Sequence, residues 1–377
     1  MEHPRRRLNH DDYTVACICP MGVELAPVIA MLDEMHELLP TSRDMNSYTL
    51  GRMGAHNIVI AVMPEIGNNN AATVATQLLN DFRSIRFGLL VGIGGGVPSD
   101  EDDIRLGDVV VSKPTATFGG VVQFDKGKIN SNGQFERTGA LKEPPAVLMA
   151  NMQSLDAQHR IYGNKISKYL SDVLRRFPNL EEQGYVYPVM ERDQLFEASY
   201  IHKGGKTCQT CDESKAVKRA SRRNTTPRIH YGTIGSANEV VKDSKTRDKL
   251  RKDLGILCVE MEAAGLMNEF SCVVIRGICD YADSHKNKSW QPYAAATAAA
   301  YAKELLSIIP AQEIVATTNA ADDLRGMPNL QSQVYGFSGD AVSCRVVKLS
   351  MFPPSCKNFS PLINALRDYY VHLTSAC

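Results

Sequence analysis

The chain has 377 residues, 44% of them hydrophobic, and sets 42 basic against 42 acidic side chains. That balance supplies no global field to steer a nucleic acid or a charged membrane surface, so partners must be recognised locally. The longest apolar-looking stretch, 294–309, is interrupted by Lys303 and Glu304 and falls short of the roughly 20 residues of a membrane span, while MEHPRRRLNHDDY lacks the apolar core of a secretory signal.

A soluble protein is therefore expected. Several of the ten cysteines (Cys17, Cys19, Cys258, Cys272, Cys279) sit inside strand-like runs, where a thiol behaves as a small hydrophobe. That usage suits a reducing cytoplasm.

Residues 1–12 read as a flexible lead-in. From Tyr13 onward TVACIC predicts a buried strand, and Leu25, Val28, Ile29 and Leu32 then recur at helical spacing. YTLGRM (48–53) and NIVIAV (57–62) predict two strands about a turn at Gly54, Ala55 and His56. After Gly67, Ala71, Val74, Leu78, Leu79 and Phe82 mark a helix, with Asn68 to Asn70 offering cap side chains. FGLLVGIGGGVP (87–98) and DVVVSK (108–113) predict two more strands.

This alternation predicts one α/β domain over 13–310, with a twisted, mainly parallel central sheet flanked by helices. The segment 129–230 breaks the pattern with helical stretches, a cysteine pair and a basic run, and reads as a peripheral insertion. One helix over 292–309 closes the domain. Residues 311–377 read as a linker and a poorly defined tail.

The densest chemistry lies in CVEMEAAGLMNEFSCVVIRGICDYAD (258–283). Glu260 and Glu262 close one short apolar run and open a helix, and Asp280 and Asp283 follow the next strand. Strand ends are where open α/β sheets hold ligands. Glu24 stands at an equivalent place, between the first strand and the first helix. Each has a plain structural alternative: Glu24 as a favourable charge at a helix N-terminus, Asp280 as a turn cap and Met261 as core filler. GIGGGV does not match G-x-G-x-x-G, so a dinucleotide cofactor is not expected, although the amides of Gly94 and Gly95 suit an anionic group. His202, Cys208 and Cys211 have the spacing of half a structural zinc site, to which His230 would add a fourth ligand if the chain folds back.

The pairing of V-E-M-E with a later C-D-Y-A-D resembles the purine and uridine phosphorylases and the methylthioadenosine/S-adenosylhomocysteine nucleosidases. The wording YTLGRMGAHNIVIAV, VGIGGGVPSDEDDIRLGDVVVSKP and RGICDYADSHKNKSWQPYAAATAAAYAKELL looks more closely like the N-terminal phosphorylase-like domain of large fungal proteins built like innate immune receptors. No P-loop or repeat pattern follows before Cys377, so a truncated or stand-alone member is expected.

The resemblance implies that Glu24 activates the attacking water, that Met261 and Glu262 hold the ribose, and that Asp280 passes a proton to the base. Asn238 falls where the nucleosidases have a ring that stacks on adenine, and its amide still suits a purine edge. Leu90 and Ile93 fall where phosphorylases hold orthophosphate, and neither side chain binds an anion. The expectation is hydrolysis of the N-glycosidic bond of a purine nucleoside or nucleotide resembling adenosine or ATP, with Lys286 and Lys288 meeting any phosphates. A phosphate-dependent phosphorylase and a catalytically silent nucleoside-binding signalling module are the alternatives. No cofactor is needed for this chemistry beyond the candidate structural zinc, and a homo-oligomer is expected.

Overall fold

The architecture is that of a computed structural model describing residues 4–41, 45–115, 117–189, 193–205, 207–269, 271–315, 317 and 320. The first half runs β1 (Val15–Cys19), α1 (Gly22–Ala30), β2 (Glu34–Met35), β3 (Ser47–Met53), β4 (His56–Val62), α2 (Asn68–Asp81) and β5 (Phe87–Gly96). There follow β6 (Val109–Ser112), β7 (Val121–Gln123), β8 (Gly127–Ile129), β9 (Phe135–Arg137), α3 (Ala146–Tyr162), α4 (Ile166–Arg176) and α5 (Asn179–Glu182). The chain then forms β10 (Ile229–Gly232), β11 (Ile234–Ser236), α6 (Ser244–Leu254), β12 (Cys258–Glu260), α7 (Ala263–Glu269), β13 (Cys272–Asp280), α8 (Gln291–Ile308) and α9 (Ala311–Val315). Of the tail expected over 311–377, everything beyond residue 320 lies outside the described residues.

The main sheet runs β10-β6-β13-β5-β1-β4-β3-β2, with β12 branching from β5 and carrying β11 and β7. The pairs at its centre, β1 with β4, β1 with β5 and β13 with β5, are parallel, whereas β6 with β13, β3 with β4 and β12 with β5 are antiparallel. The parallel centre brings the carboxyl ends of β1, β5 and β13 to one edge.

Both faces of that centre are covered, as parallel sheets require, and β5 is buried at all ten of its positions. Successive side chains of a strand point to opposite faces. On one face Cys17, Leu89, Val91 and Ile275 pack with Ala298 and Leu305 of α8, and on the other Ile18, Leu90 and Val274 pack with Val74 and Leu78 of α2 and Leu266 of α7. Helix α8 lies so close to β13 that a Cβ on Gly277 would collide with the Ala294 carbonyl, which explains why small residues fill both sides of this contact.

Three details depart from the sequence expectations. Residues 4–12 are tied to the core: Arg6 bridges to His36, and the His10 ring meets Phe82 at 5.1 Å. Helices α3 and α4 lie inside the segment read as a peripheral insertion, yet Leu148, Met152, Leu155, Ile166, Leu170 and Val173 join the same apolar cluster as α8. The cap of α2 is Gly67, not an asparagine side chain; the Asn68 N–H instead donates to Asn238 Oδ1 at 3.0 Å.

Candidate active site

Glu24 occupies the first turn of α1 and is 1% exposed. Its Oε1 accepts the Ile93 N–H at 2.8 Å, which ties the start of α1 to the end of β5. Its Oε2 is buried and has no partner among the described residues.

The guanidinium facing Glu24 comes from Arg276, which no sequence motif had singled out. Arg276 is fully buried within β13, where an ion in an apolar strand is tolerable only if it is paired. Nη1 stands 3.7 Å from Glu24 Oε1 and donates to the Ile93 carbonyl at 3.3 Å, while Nη2 bonds Glu260 and reaches Glu262 Oε2 at 3.1 Å. Gly92 permits this meeting, because a Cβ there would strike both Arg276 Nη1 and Glu24 Oε1.

Glu260 also starts α7, accepting the N–H groups of Glu262 at 3.0 Å and Ala263 at 2.9 Å. Negative charge is favoured at that end of a helix. Glu262 accepts the Gly67 N–H at 3.3 Å, so α2, α7 and β13 converge on its carboxylate.

Three carboxyl groups thus share one cation. Burial pushes Glu24 up to about 8 from its ordinary 4.5; Arg276 and the Ile93 N–H oppose that shift, and the Glu262 charge adds to it. Burial raises Glu262 in the same direction, against the pull of Arg276. Burial disfavours the charged form of Arg276, but Glu260, Glu262 and Glu24 outweigh it and hold the guanidinium protonated.

A cavity of about 250 Å³ opens beside this cluster. Glu24, Gly94, Gly95, Met261 and Glu262, all named from the sequence, line it, with Ile66, Ile93, Val240 and Val259 as apolar wall. Leu90 does not, since it points into the α2/α7 layer. Asn238 is exposed, and its Oδ1 accepts the Asn68 N–H at the start of α2.

Asp280 lines a neighbouring cavity of about 230 Å³, and Cys279 lines both. Asp280 Oδ1 accepts the Ala282 N–H at 2.9 Å, and Oδ2 lies 3.1 Å from Lys286 Nζ, which itself lines the Glu24 cavity. The turn between them holds Ala282 at a φ of 51°, a left-handed conformation that costs a non-glycine residue on the order of 1 kcal/mol or more. Lys286 is therefore committed to Asp280, and Lys288 is exposed outside the cavity lining.

The cysteine motif lies off the Glu24 cavity. His202 Nδ1 meets Cys211 Sγ at 3.2 Å, and the residue that joins them is His285, which the sequence reading had not included. Cys208 Sγ instead contacts the His285 carbonyl at 3.8 Å. His230 is not a fourth member, because its Nε2 bonds Asp108 at 2.9 Å.

A family profile described as the phosphorylase superfamily matches residues 14–309. The chain belongs to the phosphorylase superfamily. It is 45% identical over 312 residues to a nucleotide-binding leucine-rich repeat (NLR)-like protein of Hyaloscypha variabilis, which covers 82% of this chain and 31% of that protein. It is also 30% identical over 89 residues to a 5'-methylthioadenosine/S-adenosylhomocysteine nucleosidase of Mycobacterium bovis, covering 22% of this chain and 35% of the nucleosidase. The chain thus spans about a third of the length of these curated relatives. Among solved structures, the corresponding nucleosidase of Helicobacter pylori, complexed with an aminopyrrolopyrimidine–pyrrolidinol ligand, aligns at a TM-score of 0.51 over 78% of this chain and 98% of its own, with 16% identity. That likeness establishes the fold. Among the described residues no helix is long and apolar enough to cross a membrane.

Proposed function

We propose that this superfamily member hydrolyses the N-glycosidic bond of a purine nucleoside or nucleotide of the adenosine type. The observation that carries the reading is Glu24: a buried carboxyl with one oxygen unpartnered, held against Arg276 and poised near pH 8, at the wall of a cavity also lined by Glu262. A general base works best when its pKa lies near the operating pH.

In this reading Glu24 takes a proton from water as the oxygen attacks the anomeric carbon. Glu262, an acceptor-only carboxylate, receives hydrogen bonds from the ribose hydroxyls, and Met261 packs on the sugar. Asp280 relays to the departing base a proton drawn from the Lys286 ammonium, which lies 3.1 Å from its Oδ2. Water is thereby added across the bond: its proton goes to Glu24, and the electron pair of the C–N bond leaves with the base.

Charge favours water over orthophosphate as the nucleophile. The Arg276 guanidinium is already engaged by Glu24, Glu260 and Glu262, so little of its charge is left to hold an entering phosphate anion. A phosphate tail on the substrate would meet instead Lys242, an exposed cation of the cavity lining. Incubation with adenosine, inosine, AMP and ATP, followed by chromatographic separation of free base, tests the reading. Release of adenine from at least one of them is expected; measurable binding with no base released from any would identify a silent binding module.

A further inference from the structure

We propose that His202, Cys211 and His285 form a binding site for a zinc-class divalent cation, one that staples the 202–211 loop to the turn carrying Asp280 and Lys286. Their ligand atoms all lie within 4.8 Å of one another. Tetrahedral zinc with bonds of about 2.0–2.3 Å keeps its ligands about 3.5 Å apart, so a small side-chain contraction completes the geometry.

Both imidazoles present one nitrogen to the cluster and hold the other elsewhere. His285 is 8% exposed; its Nε2 is buried without a partner among the described residues, and its Nδ1 faces Asp283 Oδ1 at 3.7 Å. Its ring is fixed by stacking on Phe196 at 4.2 Å and on Tyr200 at 5.4 Å. His202 sets Nε2 3.4 Å from the Gly205 carbonyl, leaving Nδ1 for Cys211. An outer oxygen on the far nitrogen is how metal-binding histidines are oriented.

Cys211 is 8% exposed and sits in a turn closed by its N–H donating to the Cys208 carbonyl at 3.0 Å. On binding, its thiol releases a proton to solvent and the thiolate becomes the ligand. One thiolate and two neutral imidazoles select a borderline-soft ion over magnesium or calcium. Cys208 lines the same cavity as His285 and supplies the fourth ligand by a side-chain rotation. The loop and turn are already joined by the His202 N–H donating to Ser284 Oγ at 3.0 Å, and the cation adds a second, stronger cross-link.

The site is tested on the full chain, saturated with zinc and freed of excess by gel filtration. Mass spectrometry of metal content should find about one zinc per chain, and zinc added back to chelator-stripped protein should restore a lowered Tm. Cobalt(II) added to stripped protein should give a thiolate-to-cobalt charge-transfer band, absent from Cys211→Ser. His202→Gln should weaken binding by about tenfold or more. Folded wild-type protein that retains no zinc and gives no cobalt band would overturn the site, as would Cys211→Ser binding both metals normally.

Discussion

Glu24 Oε1 and Arg276 Nη1 face each other at 3.7 Å, with both side chains 1% exposed. The pairing joins the first turn of α1 to the middle of β13, across β5. Because Arg276 also serves Glu260 and Glu262, its charge is divided, and burial wins at Glu24.

Arg276→Met should destabilise the domain by about 3–5 kcal/mol, the range expected when one partner of a buried ion pair is removed and charge is left uncompensated. Urea unfolding followed by circular dichroism measures this. Arg276→Lys should recover only part of the loss, since an ammonium cannot reproduce the fork that spans Glu260 and Glu262. A loss under about 1 kcal/mol for the methionine variant would contradict the account.

Glu24→Gln should lower turnover by about 10²–10⁴-fold. In the wild type the base must be ionised, so the acidic limb of the rate profile should rise through about pH 8. Stability should move the opposite way. The folded pKa lies above the ordinary 4.5, so the contribution of the protonated carboxyl is fully present below that value and is lost as pH rises through about 8. The Tm of the wild type should therefore fall relative to Glu24→Gln across that interval; parallel Tm curves would refute the shifted carboxyl.

Asp280→Asn keeps the shape of the turn but removes the carboxylate that relays the proton and pairs with Lys286. Turnover should drop by about 10²–10⁴-fold while nucleoside affinity, read by calorimetry, stays within a few fold. Unchanged turnover would leave Asp280 as a cap for the Ala282 N–H.

Gly92→Ala should act at a distance from the ligand, by pushing Arg276 and Glu24 apart. A displacement of about 1 Å can cost about 10²-fold in rate, and that is the expected loss in kcat. Gly22→Ala, where a Cβ meets nothing within 4 Å, should leave kcat unchanged. Equal rates for the two variants would show that the Glu24–Arg276 spacing does not matter.

The elements buried almost throughout were legible: β1, β4, β5, β13 and α8 follow their continuous apolar runs. So was the convergence of Glu24, Met261 and Glu262, because motif and strand end pointed to the same edge. Arg276 was overlooked although CVVIRGI carries its signal, a lone cation inside an apolar strand that must find buried carboxylates. The placement of α3 and α4 depends on the face offered by α8, and His285 joins His202 and Cys211 only through a contact spanning more than seventy residues. Asn238, aligned with a base-stacking position, also accepts the Asn68 N–H of α2 with its Oδ1, a contact that local sequence does not reveal. No local pattern encodes such long-range pairings.

The nucleophile is the central claim, and product analysis tests it most directly. The protein is incubated with the nucleoside it cleaves in phosphate-free buffer and again with added orthophosphate, and the sugar product is identified by mass spectrometry. The account predicts equal rates in both, with free ribose or its 5'-substituted form as product. Strict dependence on phosphate, with a sugar 1-phosphate as product, would contradict it.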